Sequence, residues 1–464
     1  MFKTNISAAY VLLVGLPLLL LLGVLQSGSS LPPPVPVAVQ QSAPVSPAPA
    51  PLNLIKLVIQ IGVILAVSRV VGMLFRKIRQ PQVVGEMVAG ILLGPSLLGW
   101  AAPALSHALF PAASLGYLNA LSQVGLVLFM FLVGVSLDPA ELRNHGHAAL
   151  LASHVSIVTP FCMGAALALM LYRPLSNPGI SFMSFALFMG AAMSVTAFPV
   201  LARILAERNL LRSRVGLLAI ACAAVDDITG WCILAYIIVF IRAEKASLPA
   251  WATIGGALAY VLVMLFGVRR LLPRFEAHFR KEGRHTESAI SLMIVLALAS
   301  AVATEWLGIH LVFGAFLMGM IMPKGRDFIQ SLQHKMESVT VVVLLPLFFA
   351  FSGLRTNIGT IRGNLWLYFL VVVAVAIAGK FGGSTLAARM AGVPWRDATA
   401  LGILMNTRGL MGLIALNIGL DIGVISETVF TIMVLMALVT TFMTSPLLEW
   451  VYPRRLMVEE RLSA

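Results

Sequence analysis

The chain has 464 residues, of which 59% are hydrophobic and only 11% are charged, and its formal net charge is +13. A mean hydropathy of +0.95 excludes a soluble globular domain and predicts an all-α polytopic membrane protein. The basic residues fall in short loops between apolar segments, so the positive charge indicates orientation in a bilayer and excludes nucleic-acid binding as the main reading.

The N-terminal region contains two stretches without recognisable chemistry. Residues 1–26 place Lys3 before a Leu-rich apolar segment, which predicts either a cleaved signal peptide or an extra N-terminal transmembrane helix. Residues 27–53 are rich in Pro, Ser and Ala and cannot bury enough apolar surface to fold. We therefore expect them to form a linker.

Thirteen apolar segments follow from Leu54 onward, each bounded by polar residues or by Gly and Pro. They form a first six-helix repeat (54–241), a linking helix (250–268) and a second six-helix repeat (288–450), before a short cytoplasmic tail (451–464). Because a single helix lies between the two six-helix blocks, the second block has the opposite orientation in the membrane to the first, as in inverted-repeat transporters. The predicted limits are 54–75, 82–100, 116–136, 148–171, 180–206, 214–241, 250–268, 288–304, 308–322, 339–354, 364–388, 397–420 and 427–450.

The loops on the two sides of this topology differ in charge. One side collects 21 of the 32 Lys and Arg residues, and the other collects only Arg173, Arg242, Lys245, Arg355 and Arg362. The positive-inside rule therefore predicts that the richer side, which includes the C-terminus, is cytoplasmic.

Two aspartates lie near the middle of the sixth segment. A charged residue at the centre of a transmembrane helix costs about 2.5 to 3.5 kcal/mol, so Asp226 and Asp227 must face a cation, a proton, a partner or a water-filled cavity. Adjacent helical residues point about 100° apart, so the two acids can share one site and meet different partners. The alternative is that they form only structural ion pairs.

Two basic residues lie deeper in the apolar segments than the others. Lys380 and Arg408 are the natural cationic counterparts of the aspartates. Lys380 could instead extend to the cytoplasmic interface. Arg408 stays protonated at ordinary pH, so we assign it to pairing with a helix end and a carboxylate.

The fifth and twelfth segments are poor continuous helices. Pro199 lacks an N–H and disrupts the turn that contains Thr196, while Asn406, Thr407 and Arg408 interrupt the twelfth segment before Gly409. Interrupted helices at corresponding places in two repeats are typical of transporter sites. The alternatives are an ordinary proline kink and ordinary packing of a small residue.

Six motifs occur in order along the chain: PQVVGEMVAGILLGPSLLG (81–99), LFMFLVGVSLD (128–138), SVTAFPVLARIL (194–205), AAVDDITGW (223–231), GKFGG (379–383) and NTRGLMGLIALNIG (406–419). Together they resemble those of the monovalent cation:proton antiporter family 2, which holds Kef-type, plant CHX-type and bacterial NapA-type exchangers. Kef proteins usually have Gln at the position of Asp226 and a C-terminal regulatory domain, so this chain resembles the family outside its Kef branch.

The resemblance implies an NhaA/NapA-like fold with crossed broken helices, in a homodimer whose six-helix core moves. By similarity, Asp227 carries the cation and the proton, Asp226 pairs with Lys380, and Thr196 helps to line the site. Ser194, Pro199, Asn406, Thr407 and Arg408 would belong to the broken helices and their polar support.

We therefore expect a secondary transporter that exchanges Na+ or K+ for protons by alternating access and contributes to pH homeostasis. Lys380 could carry a second proton, which would make the exchange electrogenic. The expected setting is a bacterial inner membrane, with no cofactor and no enzymatic activity. Glu86, Glu305 and His310 lie near segment ends and are interpreted as structural or solvated.

The sequence is also compatible with other functions. A passive or gated K+ channel would conduct without coupling to pH. An organic-anion symporter could use similar broken helices, but its site should be dominated by cations. An intramembrane aspartyl protease needs carboxylates that converge from different helices, whereas Asp226 and Asp227 are adjacent on one helix.

Overall fold

The computed structural model describes residues 9–32, 34, 53–78, 80–136, 147–208, 210, 213–245, 250–273, 286–308, 310–323, 335–336 and 338–452. Every regular element in these ranges is helical, which confirms the predicted all-α class. Helices satisfy their own backbone hydrogen bonds, as a lipid environment requires. Most of the predicted linker (27–53) and most of the predicted cytoplasmic tail (451–464) lie outside the described residues, but Ser27, Gly28 and Ser29 belong to the N-terminal helix.

Ten helices in the described ranges are long and apolar enough to cross a membrane. Four shorter apolar helices accompany them, Phe182–Ser194, Ile290–Trp306, Leu311–Met320 and Met411–Asp421. The α-helices in chain order are α1 (Leu16–Ser29), α2 (Leu54–Lys77), α3 (Gln82–Leu93), α4 (Leu98–Ala101), α5 (Pro103–Leu109), α6 (Ala112–Ser136), α7 (His147–Leu175), α8 (Phe182–Ser194), α9 (Phe198–Glu207), α10 (Arg214–Lys245), α11 (Ala250–Leu262), α12 (Thr286–Trp306), α13 (Leu311–Met320), α14 (Leu345–Leu354), α15 (Leu365–Ile377), α16 (Gly383–Met390), α17 (Trp395–Met405), α18 (Leu410–Asp421) and α19 (Glu427–Val451).

Several of these helices are joined by helical turns of different pitch. π-Helical turns occupy Val11–Gly15, Val263–Val268, Thr340–Leu344 and Ala378–Gly382, and a 3₁₀ turn covers Ile358–Thr360. The turn at Val11–Gly15 continues into α1. The turn at Ala378–Gly382 joins α15 to α16 and contains the buried Lys380.

The helices pack as two sets. The first set consists of α2, α3, α6, α12, α13 and α14, and the second consists of α7 to α10 and α15 to α19. Contacts within each set are more extensive than those between them, where α14 meets α18 and α3 meets α19. The largest buried apolar cluster runs through α8, α10, α18 and α19 and reaches α13 and α14 of the first set.

The N-terminal helix lies against the second set. It contacts α7 and α8, and Tyr10 Oη lies 3.1 Å from His154 Nδ1. Gly28 lies directly against the ring of Phe182, where a larger residue would overlap it. These contacts attach the helix to the bundle.

Candidate functional site

The first break in the second set separates α8 from α9. The helix ends at Ser194 and restarts at Phe198, and Val195 adopts extended backbone angles (φ −69°, ψ 132°). Pro199 falls in the first turn of α9, where a missing N–H costs no helical hydrogen bond. The interruption therefore lies before Pro199 and includes Thr196, and it is a complete break instead of a loosened turn.

The second break separates α17 from α18. The helix ends at Met405 and restarts at Leu410. Thr407 Oγ1 donates to the carbonyl of Leu404, and the Arg408 N–H donates to Thr441 Oγ1 at 3.0 Å. Hydroxyl groups thus satisfy backbone polar groups that the interruption removes from the helical pattern.

The two breaks meet directly. The Ala197 N–H donates to the carbonyl of Thr407 at 3.1 Å, so the two interrupted segments share a backbone hydrogen bond. A Cβ at Gly409 would lie 3.0 Å from Val200 Cγ2, so glycine allows this close approach. The crossing places four half-helix ends around one point deep in the second set.

Asp226 faces this crossing and is surrounded by donors. Ser153 Oγ donates to Oδ1 at 2.6 Å, while Ser156 Oγ and Thr196 Oγ1 donate to Oδ2 at 2.5 and 2.8 Å. Lys380 Nζ donates to the same Oδ2 at 3.0 Å. The carboxylate is only 1% exposed, but its oxygens are satisfied by three hydroxyl groups and one ammonium.

Lys380 reaches Asp226 from the π-helical turn Ala378–Gly382. Its Nζ also donates to Thr196 Oγ1 at 2.5 Å, and its side chain is 0% exposed, so it does not extend to an interface. Gly379 lets this turn lie against α7, because a Cβ there would come within 2.9 Å of Pro160 Cα. π-Helical turns often occur at functional sites because they redirect side chains within a helix.

Asp227 is equally buried but has different surroundings. Among the described residues, neither Oδ1 nor Oδ2 has a hydrogen-bond partner. The backbone amide of Phe198, at the start of α9, lies close enough to interact with it electrostatically. Asp227 lines a cavity of about 10 Å³ together with Val195, Gly230, Trp231, Leu234 and Met411. A buried carboxylate with free oxygens next to a cavity can bind a cation or a proton.

Arg408 interacts with a half-helix end. Its Nη1 donates to the carbonyl of Ala192 in the last turn of α8 at 3.1 Å, where a cation complements the helix dipole. Within the described ranges its Nε and Nη2 have no partner, so the carboxylate pair expected from the sequence is not seen there. Ser194 Oγ donates to the carbonyl of Ala191 in the same turn.

Three acidic or titratable residues that the sequence singled out lie in other contacts. Glu86 accepts a hydrogen bond from Gln82 at 2.9 Å. Glu305 pairs with Arg242 at 3.1 Å and accepts the Leu311 N–H at 3.0 Å, and His310 precedes α13 with a φ of 135°. The hydrogen bonds and ion pairs of the described residues do not link these groups to Asp226 or Asp227.

Sequence reasoning missed Ser153 and Ser156. They are three residues apart in the fourth segment, so they lie on one face of α7. Two small hydroxyl groups on one face of an apolar helix are a signal for an inward-facing polar surface. However, serine is common at helix interfaces, so the spacing alone did not indicate which carboxylate they contact.

Most of the chain matches one known family of transmembrane proteins. Residues 62–450 match the family described as "Sodium/hydrogen exchanger, transmembrane". The Na(+)/H(+) antiporter NhaS4 of Synechocystis is 43% identical over 403 residues, covering 86% of this chain and 98% of that protein.

Longer relatives match over about half of their own length. The Cation/H(+) antiporter 17 of Arabidopsis thaliana is 40% identical, and the match covers 85% of this chain and 48% of that protein. The K(+)/H(+) antiporter 1 of Saccharomyces cerevisiae is 34% identical, with 85% and 46% covered.

A solved structure has the same fold. The sodium proton antiporter MjNhaP1 from Methanocaldococcus jannaschii superposes with a TM-score of 0.59 at 14% sequence identity, covering 87% of this chain and 99% of that one. At this identity the likeness bears on the fold alone.

Proposed function

Since the chain belongs to the transmembrane sodium/hydrogen exchanger family, we propose that it exchanges a monovalent cation, Na+ or K+, for protons by alternating access. The family relationship supports a transporter rather than an enzyme. The observation that carries the proposal is the pair of adjacent buried carboxylates, one saturated with donors and the other without partners beside a cavity.

Asp227 is the proposed carrier. A cation and a proton each neutralise its charge, so they compete for the same oxygens. If the protein rearranges only when the charge is neutralised, each passage of a cation in one direction requires protons in the other. Thr196 contributes a hydroxyl beside the site, and Asp226 anchors the crossing through its donors.

Lys380 is proposed to carry a second proton. Its ammonium contacts Asp226 directly, so a cation that draws Asp226 towards itself weakens the interaction that keeps Lys380 protonated. Two protons would then move for each monovalent cation, and the exchange would be electrogenic.

The proposed repeats, dimer interface and membrane orientation involve the whole molecule. We assign thirteen spans from Leu54 onward to two inverted repeats, which the positions of the two broken helices support. The first set would form the interface of a homodimer and the second set would move against it. The distribution of basic residues supports a cytoplasmic C-terminus. The proposed setting is a bacterial inner membrane, where exchange would serve pH homeostasis.

Exchange in proteoliposomes tests this function. Purified protein should acidify or alkalinise the lumen when Na+ or K+ is added, and Asp227→Asn should abolish the signal while leaving a folded protein. Glu427→Gln removes an exposed carboxylate at the start of α19 and serves as the matched control. Wild-type rates in the Asp227→Asn protein would disprove the carrier assignment, and cation flux without proton movement would indicate a channel.

The electrical signature tests the stoichiometry. Exchange of two protons for one cation should generate a membrane potential and should respond to an imposed one. Transport that ignores an imposed potential would rule out the second proton on Lys380.

A further inference from the structure

The cavity beside Asp227 contains a second polar group. Its walls are Val195, Asp227, Gly230, Trp231, Leu234 and Met411, so the only side chains with polar atoms are those of Asp227 and Trp231. A volume of about 10 Å³ accommodates about one water molecule, so binding of a cation that keeps a water requires the cavity walls to move apart. The cavity is therefore small, and mostly apolar, with two polar wall residues.

Both polar groups lack partners in the described part of the chain. Asp227 Oδ1 and Oδ2 are unpaired, and so is Trp231 Nε1, although Trp231 is only 3% exposed. A buried indole N–H usually finds an acceptor, and leaving it without one costs about 1 to 3 kcal/mol. Trp231 follows Asp227 by four residues on α10, so the two side chains lie on the same face of that helix.

The ring of Trp231 is held by the first set of helices. It packs edge-to-face on the ring of Phe313, with 5.2 Å between the ring centroids. The centroid of the Phe316 ring lies 6.1 Å away, and both phenylalanines are on α13. The apolar part of the indole therefore packs against α13, whereas its Nε1–H makes no hydrogen bond with the described residues.

We propose that Trp231 determines cation specificity by donating its Nε1–H to a water molecule that stays on the cation when Asp227 binds it. The inference rests on the proposed exchange function. The indole Nε1–H is a donor only, so this nitrogen cannot ligate a cation but can donate to the oxygen of a cation's water. Asp227 supplies the charge, and Trp231 retains one water of the hydration shell.

This arrangement selects ions by hydration. A cation that keeps a water at the site gains the indole hydrogen bond, whereas a fully dehydrated cation does not. Loss of the N–H should lower affinity about three- to tenfold, the effect of one hydrogen bond, and should change the ranking of Li+, Na+ and K+.

Two substitutions in the cavity test the proposal. Trp231→Phe removes the N–H and keeps an aromatic ring against Phe313, and it should raise the KM for the cation three- to tenfold with Vmax within twofold. Gly230→Ala adds a methyl group that would meet only Val195 Cγ2, at 3.7 Å, and it should raise KM by leaving less room for the water. Trp366→Phe, on a half-exposed tryptophan of α15 that packs on Phe369, is the matched control and should leave KM unchanged.

A spectroscopic measurement on the wild-type protein tests the same contact without relying on the kinetics of the variants. With 15N-indole-labelled tryptophan, the Nε1–H resonance that disappears in Trp231→Phe should shift on addition of the transported cation but not of choline, and should not respond in Asp227→Asn. An unchanged KM in Trp231→Phe, or a resonance that ignores the cation while exchange proceeds, would overturn the role of Trp231. Absence of exchange in the wild-type protein would instead overturn the proposed function.

Discussion

At the scale of single residues, the central feature is the contrast between Asp226 and Asp227. Both are 1% exposed, but Asp226 accepts from Ser153, Ser156, Thr196 and Lys380. No described side chain donates to Asp227, and only the backbone amide of Phe198 lies close to its carboxylate. Donors stabilise the charge of Asp226 without requiring a bound ion. Asp227 gains most from a cation or a proton, which is why the exchanging role is assigned to it.

Ser156→Ala should destabilise the protein and slow exchange. The hydroxyl donates to a charged oxygen, and its loss costs about 1.5 to 3 kcal/mol. Thermal unfolding in detergent and initial rates in proteoliposomes measure the two effects. Ser68→Ala is the matched control, because Ser68 is also buried but its Oγ has no partner among the described residues. Equal behaviour of the two variants would argue against the role of Ser156 in holding Asp226.

At the scale of elements, the site depends on segments that depart from regular helix. The breaks at 195–197 and 406–409 share a backbone hydrogen bond, and the π-helical turn Ala378–Gly382 brings Lys380 to the crossing. In continuous helices the backbone N–H and C=O groups of these segments would bond within their own helix and would not be available at the crossing. The irregular backbone is tolerated at this depth because side chains of the second set surround it.

Gly409→Ala should weaken the crossing of the two breaks. The added Cβ would lie 3.0 Å from Val200 Cγ2, so the Val200 side chain must shift by a few tenths of an ångström, which costs about 1 to 3 kcal/mol. Combining Gly409→Ala with Val200→Ala removes the opposing methyl groups, so the two effects should be less than additive in a double-mutant cycle of unfolding free energies. Strict additivity would place the origin of the destabilisation elsewhere.

At the scale of the whole molecule, two ion pairs join the first and second sets of helices. Arg242 at the end of α10 pairs with Glu305 of α12 at 3.1 Å, and Arg355 after α14 pairs with Asp421 of α18 at 2.7 Å. Arg355 Nη1 also donates to Asn417 Oδ1 at 3.1 Å. All these residues lie at the predicted non-cytoplasmic side, so the pairs close this side of the boundary between the sets.

Removing both pairs should open this side more often. The reporter is Met411→Cys, in a protein in which Cys162, Cys222 and Cys232 have been replaced. This thiol should react faster with a membrane-impermeant reagent when Arg242→Gln and Arg355→Gln are both introduced. Exposed pairs contribute up to about 1 kcal/mol each, so a combined loss near 1.4 kcal/mol gives about a tenfold increase. Arg362→Gln, an exposed arginine on the same side, should leave the rate unchanged. An identical rate in the double variant would show that these pairs do not limit opening.

The sequence by itself determined the class of the protein and the location of its unusual residues. Apolarity within each segment is a local property, so the all-helical membrane fold followed from it, and the comparisons confirmed the family resemblance read from the motifs. The interruptions before Pro199 and at Asn406 were also visible, because Pro, Gly and polar residues break an apolar run within a few positions. The mid-segment aspartates and Lys380 stood out for the same reason.

Only the tertiary structure decided how those residues differ from one another. Ser153 and Ser156 reach Asp226 across 73 and 70 residues, and Lys380 reaches it across 154. Such contacts depend on which helix faces pack together and on the offset of a π-helical turn, and neither is encoded in local hydropathy. For that reason two adjacent aspartates that look alike in the sequence acquire opposite surroundings in the folded chain.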